Sequence, residues 1–226
     1  MKILGIDTSS KFLGIALTDG STLIREEMHL LERRHSSLLV IKIKEMLEKV
    51  DFSIDDVDAF VIGLGPGSFT GLRIGVSAVK GFGIATDKPC IGVPSIDALA
   101  LNVDEENKLI VPIIDAKRQQ VYSAIYQKKK NRLVRKTKHL LLKPEDLIRK
   151  VKDSAVFLGD GIDPCLYREK IERLSKNAMF LDEGFWYPKA SSLIKLALSK
   201  IDKYKKTDLA KLRPIYLYAK DCQVRK

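Results

Sequence analysis

"GLGPGSFTGLRIG", Gly63 to Gly75, sets four glycines and a proline into its first nine residues and then runs into a helical pattern. Such a stretch can cradle a phosphate, form the elbow of a nucleophile, or let two backbones come close. A Walker loop needs G-x-x-x-x-G-K-[ST], and no Gly-Lys-Ser/Thr lies nearby. The dinucleotide fingerprint G-x-G-x-x-G, started at Gly63 or Gly65, meets Ser68 or Thr70 where its last glycine belongs. An elbow needs G-x-S-x-G, whereas Ser68 has Pro66 two residues before it and Thr70 two after. What remains is a turn and a helix start. Gly65 and Gly67 permit positive φ around Pro66, and Ser68 or Thr70 caps the helix by accepting from its exposed N–H groups. A helix N-terminus reached through glycines also attracts anions. No cofactor site is assigned; the residues that would meet a nucleotide are Asp7, Gly67 and Ser68.

The helix, expected over 69–86, carries Gly71, Gly75 and Ala78 along one face, followed by Gly81 and Gly83. Each glycine inside a helix costs roughly 0.5–1 kcal/mol relative to alanine, so something must offset it. Small residues admit a second helix at close range, with Ile74, Val76 and Phe82 supplying apolar surface beside them. That second helix belongs either to this chain or to another protein.

Upstream, "KILGIDTS" (2–9), "FLGIALTD" (12–19) and "STLIREEMH" (21–29) read as an antiparallel meander with an Asp19-Gly20 turn. Leu39, Ile43, Met46, Leu47 and Val50 recur at helical spacing over 36–50, and "VDAFVIGL" (57–64) is a buried strand feeding the glycine stretch. A short helix falls near 96–102, and a lobe boundary is placed near residue 105. Strands are then expected at 108–116, 120–127, 132–141 and 155–161, with helices opening at Pro144 and spanning 164–176 and 190–202. Meander, helix, strand and helix thus occur twice. The order implies two lobes of related α/β architecture, 1–105 and 106–226, the last helix of the second packing back on the first.

Charge divides the same way. Residues 1–105 hold 11 Lys and Arg against 15 Asp and Glu, and the remainder 29 against 14, within an overall +11. The excess concentrates in "QKKKNRLVRKTKH" (127–139) and "KYKK" (203–206), either a solvated lysine-rich face or a nucleic-acid contact. No apolar run approaches the ~20 residues of a membrane span, and no secretory leader opens the sequence, so a cytoplasmic location is expected. Cys90, Cys165 and Cys222 lack C-x-x-C spacing and read as reduced thiols.

"MKILGIDTSSKFLGIAL", "LGPGSFTGLRIGVSAVKGFG", "VPSIDALA", "IIDAKRQQVYSAIY" and "LRPIYLY" together resemble the bacterial TsaB (YeaZ) family over most of the chain. The resemblance implies a two-lobed, actin-like and sugar-kinase-like ATPase (ASKHA) fold, each lobe a mixed sheet with flanking helices. It implies a non-catalytic scaffold or activator of the paralogue TsaD, acting with TsaE to place threonylcarbamoyl on adenosine beside the anticodon of tRNAs reading A-starting codons. ATP or ADP and metal are expected on the partner subunits. A homodimer is expected without TsaD, tRNA is met through the assembled complex, and neither membrane nor DNA is a partner. The interface expected from the first two helices is His35, Leu39, Ile43, Met46, Phe69, Gly71, Arg73, Gly75, Val76 and Val79.

The peptidase label attached to such sequences is not supported. TsaD-like proteins carry a metal-binding His-x-x-x-His, and the histidines here are His29, His35 and His139. The tail departs too: related chains often have arginine after the leucine of "LRPIYLY", so no role of that arginine passes to Tyr218. Two further readings stay open. One is an independent phosphotransferase using Asp7 and the helix start at Gly67 to Thr70, and the other is a tRNA-binding module built on the basic second half.

Overall fold

A computed structural model of the chain describes residues 1–31, 35–130, 132–175, 177–198 and 208–218, without the side chains of 35–37. In chain order its strands are β1 (Lys2–Asp7), β2 (Phe12–Asp19), β3 (Thr22–Leu30), β4 (Ala59–Gly63), β5 (Cys90–Val93) and β6 (Leu109–Asp115). There follow β7 (Val121–Ser123), β8 (Tyr126–Lys129), β9 (Arg132–Arg135), β10 (Leu140–Leu142), β11 (Ala155–Leu158) and β12 (Ala178–Phe180). The helices are α1 (His35–Glu48), α2 (Phe69–Thr86), α3 (Ser95–Ala100), α4 (Pro144–Ile148), α5 (Arg168–Leu174) and α6 (Ala190–Leu198).

The chain divides into two compact units, Met1–Ala98 with Pro188–Ile215, and Leu99–Tyr187 with the residues from Tyr216 onward. The division differs from the boundary expected near residue 105, and the reason is packing. Ala190, Leu193, Ile194 and Ala197 of α6 bury themselves on the first unit's sheet, so residues 188–215 belong there.

The first unit is a five-stranded sheet in the order β3-β2-β1-β4-β5. The β1–β2–β3 meander is antiparallel, and β1, β4 and β5 run parallel. Period-two alternation sorts the side chains. Leu4, Ile6, Phe60 and Ile62 face the layer of Leu39, Ile43 and Met46 of α1 and Val76 and Val79 of α2. Ile3, Ala59 and Val61 face α6. Burying each large side chain of this kind contributes about 1.5–3 kcal/mol. On the α6 side small residues set the spacing: a Cβ at Gly5 would stand 2.8 Å from the carbonyl oxygen of Ala190.

The second unit has seven strands, with β10-β7-β6-β11-β12 as the main path. Two strands share one edge of β6: Leu109 and Ile110 pair with Gln127 and Tyr126 of β8, while Ile113 to Asp115 pair with Ser123 to Val121 of β7. The single strand expected at 120–127 is therefore two, separated where Ala124 and Ile125 leave the ladder. Likewise 132–141 splits into β9, which pairs with β8, and β10, which pairs with β7.

Candidate functional site

Asp7 ends β1 at the bottom of a buried polar knot. Its Oδ1 accepts from the Ser9 backbone N–H at 2.9 Å and the Ser9 hydroxyl at 2.6 Å, and its Oδ2 accepts from the Ser95 hydroxyl at 2.6 Å. Ser95 Oγ in turn accepts from the Gly65 N–H at 3.0 Å, while the Ser95 N–H donates to Gly65 O at 2.8 Å. Burial pushes the Asp7 carboxyl above its ordinary range, and the Ser9 and Ser95 hydrogen bonds work against that rise. Gly63 is there because a Cβ would overlap the Asp7 carboxylate and stand 2.5 Å from Ser95 Oγ.

The glycines of the quoted stretch have the same cause. A Cβ on Gly67 or Gly71 would fall well inside van der Waals contact with the carbonyl oxygens of Ser9 and Thr8, and one on Gly75 would strike Thr8 Oγ1. Hydrogen bonds hold the two segments together. Ser68 N–H donates to Ser9 O at 2.7 Å, and Thr8 Oγ1 donates to Gly71 O at 2.8 Å. Ser68 Oγ caps α2 by accepting from Gly71 N–H at 3.2 Å. Gly65 takes the positive φ, +85°, whereas Gly67 does not. Of the three residues weighed for a nucleotide, Asp7 and Ser68 spend their side chains on this chain, and Gly67 abuts the Ser9 carbonyl.

At Gly71 and Gly75 the small-residue face of α2 therefore admits the β1–β2 turn of its own chain. Leu39, Ile43, Met46, Gly71, Gly75, Val76 and Val79, all expected at a partner interface, are buried inside the first unit. The surface of these helices is carried by other residues. Phe69 is 41% exposed with the Arg73 guanidinium 3.9 Å from its ring centroid, and Ile84 is 74% exposed. On α1, Val40 and Ile41 are 52% and 50% exposed. His35 begins α1, and its side chain lies outside the described residues. Helical spacing located the helices but could not tell which stripe the chain itself would cover.

In the second unit β6 also ends in an aspartate. Asp115 accepts from Lys117 N–H at 2.9 Å, from Lys117 Nζ at 2.6 Å and from the Tyr167 hydroxyl at 3.2 Å. Burial acts to raise its carboxyl, but the Lys117 contacts prevail and hold it below the ordinary value. Lys117, Arg118 and Gln119 then follow with φ of +63°, +51° and +58°, three left-handed residues in succession without a glycine. Their turn is braced by the Tyr218 hydroxyl, which donates to Ala116 O at 2.6 Å, and by Asp160, which accepts from the Asp115 N–H at 3.0 Å. Asp160, just after β11, is thus engaged in holding β6. Nothing in the sequence pattern singled out Tyr218 for this brace.

Among the described residues histidines and cysteines assemble no site. His29 Nε2 lies 3.0 Å from Glu27, His139 Nε2 lies 2.6 Å from Arg135, and among the described residues no cluster of three His, Cys, Asp or Glu could hold a metal. Cys90 is buried, its thiol pushed up to about 11 by desolvation; Cys165 is exposed, and Cys222 lies outside the described residues. No helix among the described residues is long and apolar enough to cross a membrane.

Two mixed sheets, each with flanking helices and each with a strand ending in an engaged aspartate, define a two-unit α/β protein. The family model described as TsaD, tRNA N6-adenosine threonylcarbamoyltransferase, matches residues 29–211. The tRNA threonylcarbamoyladenosine biosynthesis protein TsaB of Bacillus subtilis (strain 168) is 35% identical over 96% of this chain and 94% of that protein. The protein of the same name from Escherichia coli (strain K12) is 28% identical over 96% and 94%. YeaZ from Pseudomonas aeruginosa superposes with a TM-score of 0.79 over 95% of this chain and 100% of that one, at 24% identity, a likeness of fold. The chain belongs to the TsaB (YeaZ) family.

Proposed function

We propose that this chain is a non-catalytic subunit in the biosynthesis of threonylcarbamoyladenosine on tRNA. It binds a TsaD-type transferase through the outward residues of α1 and α2, with TsaE supporting turnover of the assembled complex. The observation that carries this reading is the division of labour on α2. Its inner stripe is consumed by the β1–β2 turn, while its outer stripe exposes Phe69, Arg73 and Ile84. Aromatic and arginine side chains of this kind supply the anchors of protein interfaces. The filled coordination of Asp7 supports the non-catalytic part. A nucleotide-bound metal at that carboxylate would compete with the Ser9 and Ser95 hydrogen bonds, and the phosphotransferase reading gains nothing from the geometry.

Co-purification with the TsaD-type paralogue tests the interface. Phe69→Ala with Ile84→Lys is expected to weaken the heterodimer by about 1–3 kcal/mol while leaving the melting temperature unchanged. Association unaffected by both substitutions would remove α2 from the interface, and ATP turnover by the isolated chain would end the scaffold reading. Gly75→Leu is unsuited to this test, because the new side chain would disrupt the packing on Thr8 before it met a partner.

A further inference from the structure

We infer that the β8–β9 hairpin is a contact for the phosphate backbone of RNA. The groove beside it measures about 810 Å³ and is lined by Lys128, Lys129, Lys130, Arg132 and Arg135, with Glu106 as its carboxylate. Among the described residues part of this charge has no counter-ion. Lys128 pairs with Asp104, but Lys129, Lys130 and Arg132 have no ion-pair partner among the described residues. The antiparallel register sets Lys129 directly opposite Arg132, an arrangement that destabilises a strand pair when both residues carry the same charge. Exposed Lys136 and Lys138 prolong the run beyond β9. A polyanion laid along this edge offsets the repulsion and releases the counterions the lysines otherwise hold. Among the described residues no aromatic side chain lines the groove, and phosphate is the part of RNA its lysines and arginines can grip. That the RNA is tRNA rests on the family reading above; the phosphate contact itself rests on the hairpin.

Fluorescence anisotropy of labelled unmodified tRNA, titrated with the full chain at 50 to 200 mM salt, tests this. Three phosphate contacts predict an affinity loss of roughly 20- to 40-fold across that range. Lys129→Glu, Lys130→Glu and Arg132→Glu together are expected to lower affinity at least tenfold at 50 mM salt and to flatten the salt dependence. The same three positions changed to Gln should flatten it without reversing charge, which separates lost contacts from a damaged fold. Lys150→Glu, Lys152→Glu and Lys189→Glu, matched in charge and exposed elsewhere, should change affinity less than threefold. An unchanged affinity in the hairpin variants would leave the lysines as guards of an edge strand, and an equal loss in the control would reduce the effect to net charge. Hairpin-dependent binding of phosphatidylserine vesicles at equal strength would transfer the surface to membranes. Each of these outcomes overturns the proposal. Association with the TsaD-type transferase is measured alongside. If it persists while the hairpin proves silent, only the RNA contact falls; if it fails while the hairpin binds RNA, only the partner reading falls.

Discussion

Asp7 and Asp115 each close the first strand of a unit, and each is followed by a sharp turn, yet the two carboxyls move in opposite directions. Asp7 is enclosed by the hydroxyls of Ser9 and Ser95 with no cation beside it among the described residues, so desolvation raises it. Asp115 is also raised by burial, but the Lys117 ammonium at 2.6 Å, the Lys117 backbone N–H and the Tyr167 hydroxyl together outweigh it and lower the carboxyl. The turns differ in the same spirit. The first unit brings α2 onto the β1–β2 turn by deleting side chains at Gly67, Gly71 and Gly75. The second keeps Lys117, Arg118 and Gln119 in left-handed backbone and holds them with hydrogen bonds from outside the turn. One position in two related units can be satisfied by shape or by charge, and the choice leaves a different thermodynamic signature.

The largest break in this comparison is expected at Gly71→Ala. Its Cβ would overlap the Thr8 carbonyl oxygen, a backbone atom, with the Ser68 side chain close on its other flank. A loss of about 3 kcal/mol, or roughly 6–12 °C in melting temperature, should appear in thermal unfolding. An unmoved midpoint would show that α2 does not depend on this approach.

Next comes the pH dependence. Because the native carboxyl of Asp7 lies above the unfolded value of 3.8, its contribution to stability is greatest at low pH and is lost as pH rises through the native value. Asp115 lies below 3.8, so its contribution is present above that pH and is lost as pH falls. Asp7→Asn and Asp115→Asn, compared with the parent by denaturant unfolding between about pH 3 and pH 7, should therefore change stability with opposite pH slopes. Each tenfold difference in native proton affinity is worth about 1.4 kcal/mol. Parallel slopes would erase the contrast. Smallest is Tyr218→Phe, which removes the hydroxyl that binds Ala116 O and should destabilise the second unit by about 0.5–1.5 kcal/mol. Faster amide exchange confined to residues 116–120 would report the same loss directly.

The sequence made much of the first unit legible. Its meander, the apolar spacing of α1 and the run of α2 from Phe69 to Thr86 are local patterns, and Ser68 marks the helix start as expected. β5 was not legible, since Cys90 to Val93 is four residues long between prolines and carries a glycine. The division of 120–127 was hidden because β7 and β8 differ in the part of β6 they meet, not in composition. The glycines of α2 announced a close neighbour but not its identity. Thr8 is 63 residues from Gly71, and only the parallel pairing of β1 with β4 brings that turn against the helix. The outward stripe was missed for the same reason, because which residues stay uncovered depends on what the rest of the chain has already filled.

The passage of the chain out of the first unit at Ala98 and back at Pro188 bears on its birth at the ribosome. A nascent polypeptide that has emerged only as far as α3 has one side of its sheet bare, since Ala190, Leu193, Ile194 and Ala197 have not yet been synthesised. The segment in between must be made first, so the N-terminal half finishes last. A truncation after residue 98 leaves Ile3, Val61 and Ile91 open to water, and only a fragment that splices 188–215 back on can stand by itself.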